Sequence, residues 1–228
     1  MNAHAATLGA SPRTAPAPLG ARLGRCVIGL LVCGLGIALI VAGDIGLAPW
    51  DVMHDGISEL TGMPIGTAII VVGFALLLVW IPLRVRPGIG TILNAIEIGL
   101  AVDLLLPHLP EPDNVALRIA LMAAGVVTFG AGSGLYIGAG LGPGPRDGLM
   151  TGLAARTGYS IRLVRTVLEL AVLLGGWVLG GTPGIGTAVF AVTIGPIVQF
   201  FLHRFGMWSG TVVTVQGDVA EIADIAPA

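Results

Sequence analysis

The sequence predicts an all-α polytopic membrane protein, with six transmembrane helices and two short re-entrant helices in a 3+3 inverted-topology internal repeat. Three observations support this prediction. The 228-residue chain is 55% hydrophobic and only 11% charged, with a mean hydropathy of +0.94, which lies outside the range of soluble domains. Its apolar segments are interrupted twice by the same proline-aspartate motif. The distribution of the arginines then indicates how the two halves are oriented.

The composition and the motifs narrow the classes of function. The net charge of −2, without a basic cluster interleaved with aromatic residues, argues against nucleic-acid binding. The chain contains no Ser/His/Asp or Cys/His nucleophile arrangement, no His-Glu-x-x-His motif and no phosphate-binding loop. We therefore expect that the protein is not an enzyme and that it binds no metal or cofactor.

The two halves of the chain match at an offset of 96 residues. The first copy of the interrupting motif and its repeat share these positions: Gly46 and Gly142, Pro49 and Pro145, Asp51 and Asp147, Gly56 and Gly152. The strongest match lies between 87–91 and 183–187, which both read Pro-Gly-Ile-Gly-Thr. Five identical residues in the same register as the Pro-x-Asp match indicate an internal duplication.

The predicted elements follow this duplication along the chain. Residues 1–24, rich in Ala, Pro and Gly, predict a disordered cytosolic N-terminal tail. The first repeat, 25–109, contains a span at 26–42, a short helix that ends near residue 60, and spans at 64–83 and 88–106. The second repeat, 110–206, mirrors it with segments at 115–137, 145–158, 161–179 and 184–202. Residues 207–228 predict a cytosolic C-terminal tail.

The short helices decide the predicted topology. A helix of about three turns does not cross the hydrocarbon core, which needs about 20 residues. Each half then has three crossings, and the second half enters the membrane from the opposite side. With both termini cytosolic, ten of the eleven arginines lie at or near the cytosolic side, and only Arg118 does not. Four crossings in each half would instead place Arg84 and Arg86 outside.

Two carboxylates in the short helices are the leading candidates for a site. Pro49 and Pro145 suit the first helical position, and Asp51 and Asp147 follow two residues later. In one interpretation each Asp caps its helix N-terminus. In the other, the half-helices bring both carboxylates to a substrate- or ion-binding site near the membrane midplane, as broken helices do in inverted-repeat transporters. The two interpretations are compatible.

Residues next to these carboxylates make the two half-sites different. Trp50 and Arg146 occupy equivalent positions, each followed by its Asp. Trp50 is a candidate for stacking on a cationic ligand, with an anchoring role at the membrane interface as the alternative. Arg146 is expected to neutralise the neighbouring Asp147 or to meet a lipid phosphate.

Polar residues inside the predicted spans add further candidates. Asn94 and Glu97 lie three residues apart on one helix face, and Glu97 has no local partner. Because a charged residue at that depth marks a functional site or an internal pair, both are substrate- or ion-binding candidates, with plain helix packing as the alternative. Arg165 and Glu169, four residues apart, are expected to form a structural ion pair.

The glycines of the two Pro-Gly-Ile-Gly-Thr segments are hinge or turn candidates. Gly88, Gly90, Gly184 and Gly186 each precede or begin a predicted span. A bare-backbone ion site is conceivable there, but a tight turn into a close-packed helix explains the glycines as well, and we prefer it.

Segments 46–51 and 142–147 share a glycine, a small residue, a proline and an aspartate at equivalent positions, with Ala48 as the small residue of the first copy. Together with the second Pro-Gly-Ile-Gly-Thr segment, this pattern resembles the YczE/YyaS/YitT group of bacterial membrane proteins, and YczE-like members above all, over residues 25–206. The resemblance implies a multi-pass protein of the bacterial inner membrane whose molecular activity is poorly defined, with links to secondary-metabolite production in some bacilli. It assigns no catalytic residues.

Two hypotheses about function follow. The first is a secondary transporter or permease for a small cationic or zwitterionic solute, in which Asp51, Asp147 and Glu97 supply a cation or proton site. The excess of carboxylates over arginines inside the membrane favours that substrate class. The alternative is a membrane scaffold or regulatory protein that supports a biosynthetic pathway. The expected partners are the lipid bilayer and a small solute, with homo-oligomerisation left open.

Overall fold

The computed structural model describes residues 17–205. Its α-helices, in chain order, are α1 (Leu19–Gly43), α2 (Pro49–Thr61), α3 (Ile65–Leu83), α4 (Ile89–Leu105), α5 (Val115–Ala139), α6 (Pro145–Thr157), α7 (Ile161–Val178) and α8 (Ile185–Arg204). A short 3₁₀ turn, Leu106–His108, extends α4. No β-strand occurs between residues 17 and 205, so the predicted all-α class is confirmed. Most of the predicted N-terminal tail, 1–16, and the whole C-terminal tail, 207–228, lie outside the described residues.

Several of these helices are long and apolar enough to cross a membrane. Within the described part of the chain, five helices meet that description: α1, α3, α4 with its 3₁₀ turn, α5 and α8. The predicted sixth span, α7, has 18 residues but carries Arg162, Arg165 and Glu169. Helices α2 and α6 have 13 residues each, which corresponds to about 20 Å of helix, less than the roughly 30 Å of the hydrocarbon core.

Helix α1 begins earlier than the sequence indicates. It starts at Leu19, inside the stretch 1–24 that was assigned to the tail. The hydropathy pattern misses this first turn because Arg22 and Arg25 interrupt it. Arg22 is held by a tertiary contact instead: its guanidinium donates hydrogen bonds to the carbonyl oxygens of Ala139 and Gly140 at the end of α5.

The short helices have clear local start and stop signals. Pro49 and Pro145 occupy the first turn of α2 and α6, where a missing N–H costs nothing. Each helix ends at a glycine in the left-handed conformation, Gly62 with φ 74° and Gly158 with φ 75°. The boundaries of α2 and α6 therefore repeat at the 96-residue offset, as do those of α1 and α5.

The two halves also exchange equivalent backbone contacts. Gly90 donates its N–H to the carbonyl oxygen of Leu141 at 2.8 Å, and its equivalent, Gly186, donates to Ile45 at 2.8 Å. The loop before each short helix thus packs against the Pro-Gly-Ile-Gly-Thr segment of the opposite half. The position of Gly46 requires glycine for two reasons. Its φ is 118°, and a Cβ atom there would lie 2.6 Å from Gly184 Cα.

The other two candidate hinge glycines, Gly88 and Gly184, can be placed in the same way. Gly88 and Gly184 precede α4 and α8, and each donates its N–H to a threonine Oγ1 in the first helical turn, Thr91 and Thr187, at 3.0 Å. Gly88 approaches the backbone of residues 141 and 142 as closely as Gly184 approaches residues 45 and 46. These segments are turns that hold the two halves together by close backbone contact.

The two longest helices pack against each other. Helices α1 and α5 pack side by side at glycines: a Cβ atom on Gly36 would lie 2.5 Å from Phe129 N, and one on Gly132 would lie 2.6 Å from Cys33 N. Small residues at helix crossings let backbones approach in this way. Each short helix packs against a long helix of the opposite half, α2 on α7 and α6 on α3.

Candidate functional site

The N-terminal ends of α2 and α6 face a central cavity of about 360 Å³. Each of the eight α-helices in the described part of the chain contributes to its lining. Many lining residues occupy equivalent positions in the two halves, among them Pro49 and Pro145, and Trp50 and Arg146. The local signals that start the two short helices therefore also place their first turns at this cavity.

Asp51 lies behind the cavity wall and contacts two neighbouring side chains through one carboxylate oxygen. It is 2% exposed and does not line the cavity. Its Oδ1 lies 3.2 Å from His54 Nδ1 and accepts a hydrogen bond from Arg146 Nη2 at 3.4 Å. The guanidinium of Arg146 also lies over the ring of Trp50, 5.2 Å from its centroid, within the range of a cation–π contact. The first turns of the two short helices are therefore linked directly.

Asp147, the equivalent residue of α6, has a different environment. Its side chain is exposed, and it lines the cavity. One carboxylate oxygen faces the backbone of Gly144, the residue before α6, which agrees with a capping position. Asp147 forms no salt bridge with any residue in the described range 17–205. It therefore offers a carboxylate to the cavity, whereas Asp51 does not.

The other predicted site residues divide into two groups. Asn94 is partly buried and lines the cavity. Arg165 and Glu169 also line it, and Arg165 Nε donates to Glu169 Oε1 at 2.8 Å. Glu97 is partly buried on α4 but does not line the cavity, and it forms no salt bridge with another described residue. Of the predicted binding residues, the structure thus places Trp50, Asn94 and Asp147 in the cavity wall, whereas Asp51 and Glu97 do not line it.

Sequence reasoning missed three features of this site. Arg146 pairs with Asp51 of the other half rather than with its neighbour Asp147. His54 completes the environment of Asp51, and Tyr136 lines the cavity while its hydroxyl donates to the carbonyl oxygen of Gly142 at 3.1 Å. The sequence did contain a signal for the first feature. Trp50 and Arg146 occupy equivalent positions in the two halves, and equivalent residues of two interlocking halves meet when both lie near their common centre.

The fold and this cavity define the class: a polytopic helical membrane protein with a carboxylate-lined central cavity. The chain belongs to the family of unknown function DUF6198, whose profile matches residues 20–203. It is similar to an uncharacterized protein of Haemophilus influenzae, with 42% identity over 174 residues that cover 76% of this chain and 80% of the relative.

Two further relatives come from Bacillus subtilis. The uncharacterized membrane protein YczE is 36% identical over 179 residues, which cover 77% of this chain and 83% of YczE. The uncharacterized protein YyaS is 24% identical over 179 residues, which cover 77% of this chain and 89% of YyaS. The resemblance to this group is therefore confirmed. No solved structure matches the chain.

Proposed function

We propose that this protein is a secondary transporter or permease for a small cationic or zwitterionic solute, and not an enzyme. The observation that carries the proposal is the carboxylate of Asp147, which faces a cavity at the point where two short helices meet. Inverted-repeat transporters build their substrate sites at such broken helices. A cavity of about 360 Å³ lies within the range of small-molecule sites.

The charges around the cavity favour a cationic group on the solute. Arg146 is paired with Asp51, and Arg165 with Glu169. Among the charged residues of the described cavity wall, Asp147 is the carboxylate that belongs to neither pair. Arg146 and Arg165 act on Asp147 electrostatically but form no ion pair with it. Because a carboxylate without an ion-pair partner is costly inside a membrane protein, a cationic group or a proton is a suitable partner for it. The position of Asp147 makes it a stronger candidate for this role than Glu97, which lies away from the cavity.

A three-plus-three inverted topology is part of the proposal. The repeated helix boundaries and the reciprocal contacts of Gly90 and Gly186 support a two-fold relation between the halves. The two short helices then enter from opposite faces, and their N-termini meet inside the membrane. The arginine distribution supports cytosolic termini, and the bacterial relatives support a location in the cytoplasmic membrane.

The test is solute flux into liposomes that contain the purified protein, with small amines and zwitterions supplied in the presence and absence of a proton gradient. We expect Asp147→Asn to reduce flux at least about tenfold, because a charge-assisted contact to the solute is lost. Asp113→Asn is the matched control, since it removes an exposed carboxylate from the loop before α5.

The same experiment separates transport from the alternative, a membrane scaffold or regulatory protein of a biosynthetic pathway. Transport is rejected if the screen yields no flux while cells that carry Asp51→Asn and Asp147→Asn behave as wild type. A scaffold predicts that deletion of 207–228, rather than substitution at the cavity, produces the cellular phenotype.

A further inference from the structure

The exposed part of the cavity wall marks its mouth. A residue that lines the cavity and is also exposed lies where the cavity meets the exterior. Among the described residues, the lining residues of this kind all belong to the second half of the chain: Ile137, Asp147, Arg165, Gly195 and Gln199. The cavity therefore opens on the side formed by α5, α6, α7 and α8.

The first half keeps the equivalent route closed. Helices α7 and α8 scarcely touch, and a Cβ atom on Gly195 of α8 would meet nothing within 4 Å. Helices α3 and α4 instead pack along each other. The first-half residues at the 96-residue offset from the mouth are partly or fully buried: Val41, Asp51, Ile69, Gly99 and Asp103. The opening is thus the gap between α7 and α8, which the described structure has in one half and not in the other.

Charged side chains lie at the rim of this gap. Arg165 and Glu169 of α7 have side-chain exposures of 55% and 29%, and the equivalent residues of α3 are Ile69 and Gly73. Charged groups within a membrane-spanning segment face the protein interior or a water-filled cavity, because exposure to hydrocarbon is costly. The gap therefore suits water and a polar solute, and not a lipid-like molecule that enters from the bilayer.

Glu169 is placed to contact a cation that passes through the gap. Its Oε1 accepts a hydrogen bond from Arg165 Nε at 2.8 Å, and Arg165 is the more exposed of the two. Both residues line the cavity. An ion pair with an exposed partner contributes little to stability. Glu169 can therefore exchange the guanidinium of Arg165 for a cationic group of the solute.

The mouth lies towards one end of the long helices. Arg165 is near the start of α7, Gln199 is near the end of α8, and Ile137 is near the end of α5. In the proposed topology these three helix ends face the cytosol.

We propose that the gap between α7 and α8 is a water-filled entrance that opens to the cytosol, and that Glu169 at its rim favours the entry of water-soluble cations. This inference rests on the proposed function. It adds a route and an entry residue to the cavity site of Asp147, and it narrows the substrate class to polar solutes.

The test follows a thiol reagent into the cavity. In a background with Cys26 and Cys33 replaced by serine, Val72→Cys places a reporter on α3, where Val72 is partly buried and lines the cavity. The probes are the membrane-impermeant reagents MTSET, a cation, and MTSES, an anion, and each labelling rate is divided by the reagent's rate with 2-mercaptoethanol. In oriented membrane vesicles we expect MTSET to label the reporter from the cytosolic face, and about tenfold faster than MTSES, because a negatively charged cleft concentrates cations.

Blocking the gap tests the route. Gly195→Trp puts a large side chain into open space at the mouth, so it is expected to slow MTSET labelling of the reporter about tenfold, because access depends on the width of the opening. Gln199→Trp repeats the block at a second exposed lining position. Val192→Trp is the matched control, since Val192 is a 76% exposed residue of α8 that does not line the cavity.

A charge substitution tests the entry residue. Glu169→Gln leaves the Arg165 charge unpaired at the rim, so it is expected to slow MTSET about threefold and to speed MTSES, because the local potential becomes more positive. Glu59→Gln is the matched control, since Glu59 is exposed on α2 and does not line the cavity. An equal change for both reagents would indicate a structural effect and contradict a charge-selective role of Glu169.

The outcomes separate this entrance from the proposed function. An unlabelled reporter, faster labelling from the opposite face, or labelling that neither Gly195→Trp nor Gln199→Trp slows contradicts the entrance, even if the protein carries flux. Labelling by a long-chain N-alkylmaleimide but not by MTSET shows entry from the bilayer and also contradicts it. Labelling that depends on the gap and on Glu169, in a protein that passes no solute, supports the entrance and contradicts transport.

Discussion

Helices α3 and α4 pack along each other, whereas their equivalents in the second half, α7 and α8, scarcely touch. In the first half, Gly66 of α3 meets Gly99 of α4 so closely that a Cβ atom on either would collide with the backbone oxygen of the other. The second half has Arg162 in place of Gly66, and a Cβ atom on Gly195, the equivalent of Gly99, would meet nothing within 4 Å. The second half thus has a large residue at a position where the first half has a glycine in the close helix crossing.

A polar contact reinforces the close packing of α3 on α4. Asp103 at the end of α4 accepts hydrogen bonds from Gly66 N at 2.7 Å and from Thr67 Oγ1 at 2.8 Å, and so secures the first turn of α3. The equivalent of Asp103 is Gln199, which is exposed. A carboxylate that complements a helix N-terminus is stabilising there, and Gln199 supplies no charge for that purpose.

The difference makes the cavity wall unequal. Cavity residues contributed by α3 and α4, such as Ile69, Ala95 and Ile98, are buried. Those contributed by α7 and α8 include Arg165 and Gln199, which are exposed. Two halves with the same helix order therefore form different walls of a shared cavity. The wall at α3 and α4 is closely packed, and the wall at α7 and α8 is loosely packed.

The largest expected effect concerns access to these two walls. In a background with Cys26 and Cys33 replaced by serine, Val198→Cys on α8 is expected to react nearly completely with a small polar thiol reagent. Val102→Cys, the equivalent change on α4, is expected to remain almost unlabelled, because Val102 is 0% exposed while Val198 lines the cavity. Mass spectrometry of the intact protein measures both. Equal labelling of the two cysteines would contradict the proposed difference between the walls.

The next effect concerns the helix crossing itself. Gly99→Ala is expected to destabilise the protein by about 3 kcal/mol, since the added methyl group collides with the Gly66 carbonyl. Gly195→Ala, the matched control, is expected to be neutral or to stabilise α8 by up to about 1 kcal/mol through helix propensity. Unfolding in mixed detergent micelles measures the free energies. A similar loss for both variants would show that the crossing is not specific to α3 and α4.

The smallest of the three effects tests the polar contact. Asp103→Ala removes both acceptors and is expected to cost about 2 kcal/mol, because the Gly66 N–H and the Thr67 hydroxyl lose their partner. Gln199→Ala is expected to change stability by no more than about 0.5 kcal/mol, as an exposed residue. The same unfolding measurement applies. If Asp103→Ala leaves the free energy of unfolding unchanged, the close packing of α3 and α4 depends on the glycines alone.

The sequence predicted the secondary structure well where the signals were local. The prolines that begin α2 and α6, the glycines that end them and the apolar runs of the long helices act within a few residues of the chain. The start of α1 at Leu19 is not evident from the hydropathy pattern because Arg22 and Arg25 interrupt it, and the structure shows that Arg22 contacts the end of α5. That contact joins residues more than a hundred positions apart, and no local pattern reports it.

The site was predictable in composition but not in arrangement. Asp51 and Asp147 occupy the same position of the same motif, yet Asp51 is enclosed by His54 and Arg146 while Asp147 faces the cavity. Glu97 was a candidate because it lacks a local partner, and the structure places it away from the cavity. A charge inside an apolar segment is visible in sequence, but the helix face that meets the cavity depends on how the helices pack.

By itself the sequence determined the membrane character, the family, the 96-residue register and the limits of the short helices. These features rest on composition and on backbone preferences of proline and glycine, which neighbouring residues alone decide. Only the tertiary structure decided that Arg146 meets Asp51, that Trp50 Nε1 has no hydrogen-bond partner among residues 17–205 and that Asp147 is open to the cavity. The reason is that each of these depends on two segments, remote in the chain, being packed against each other.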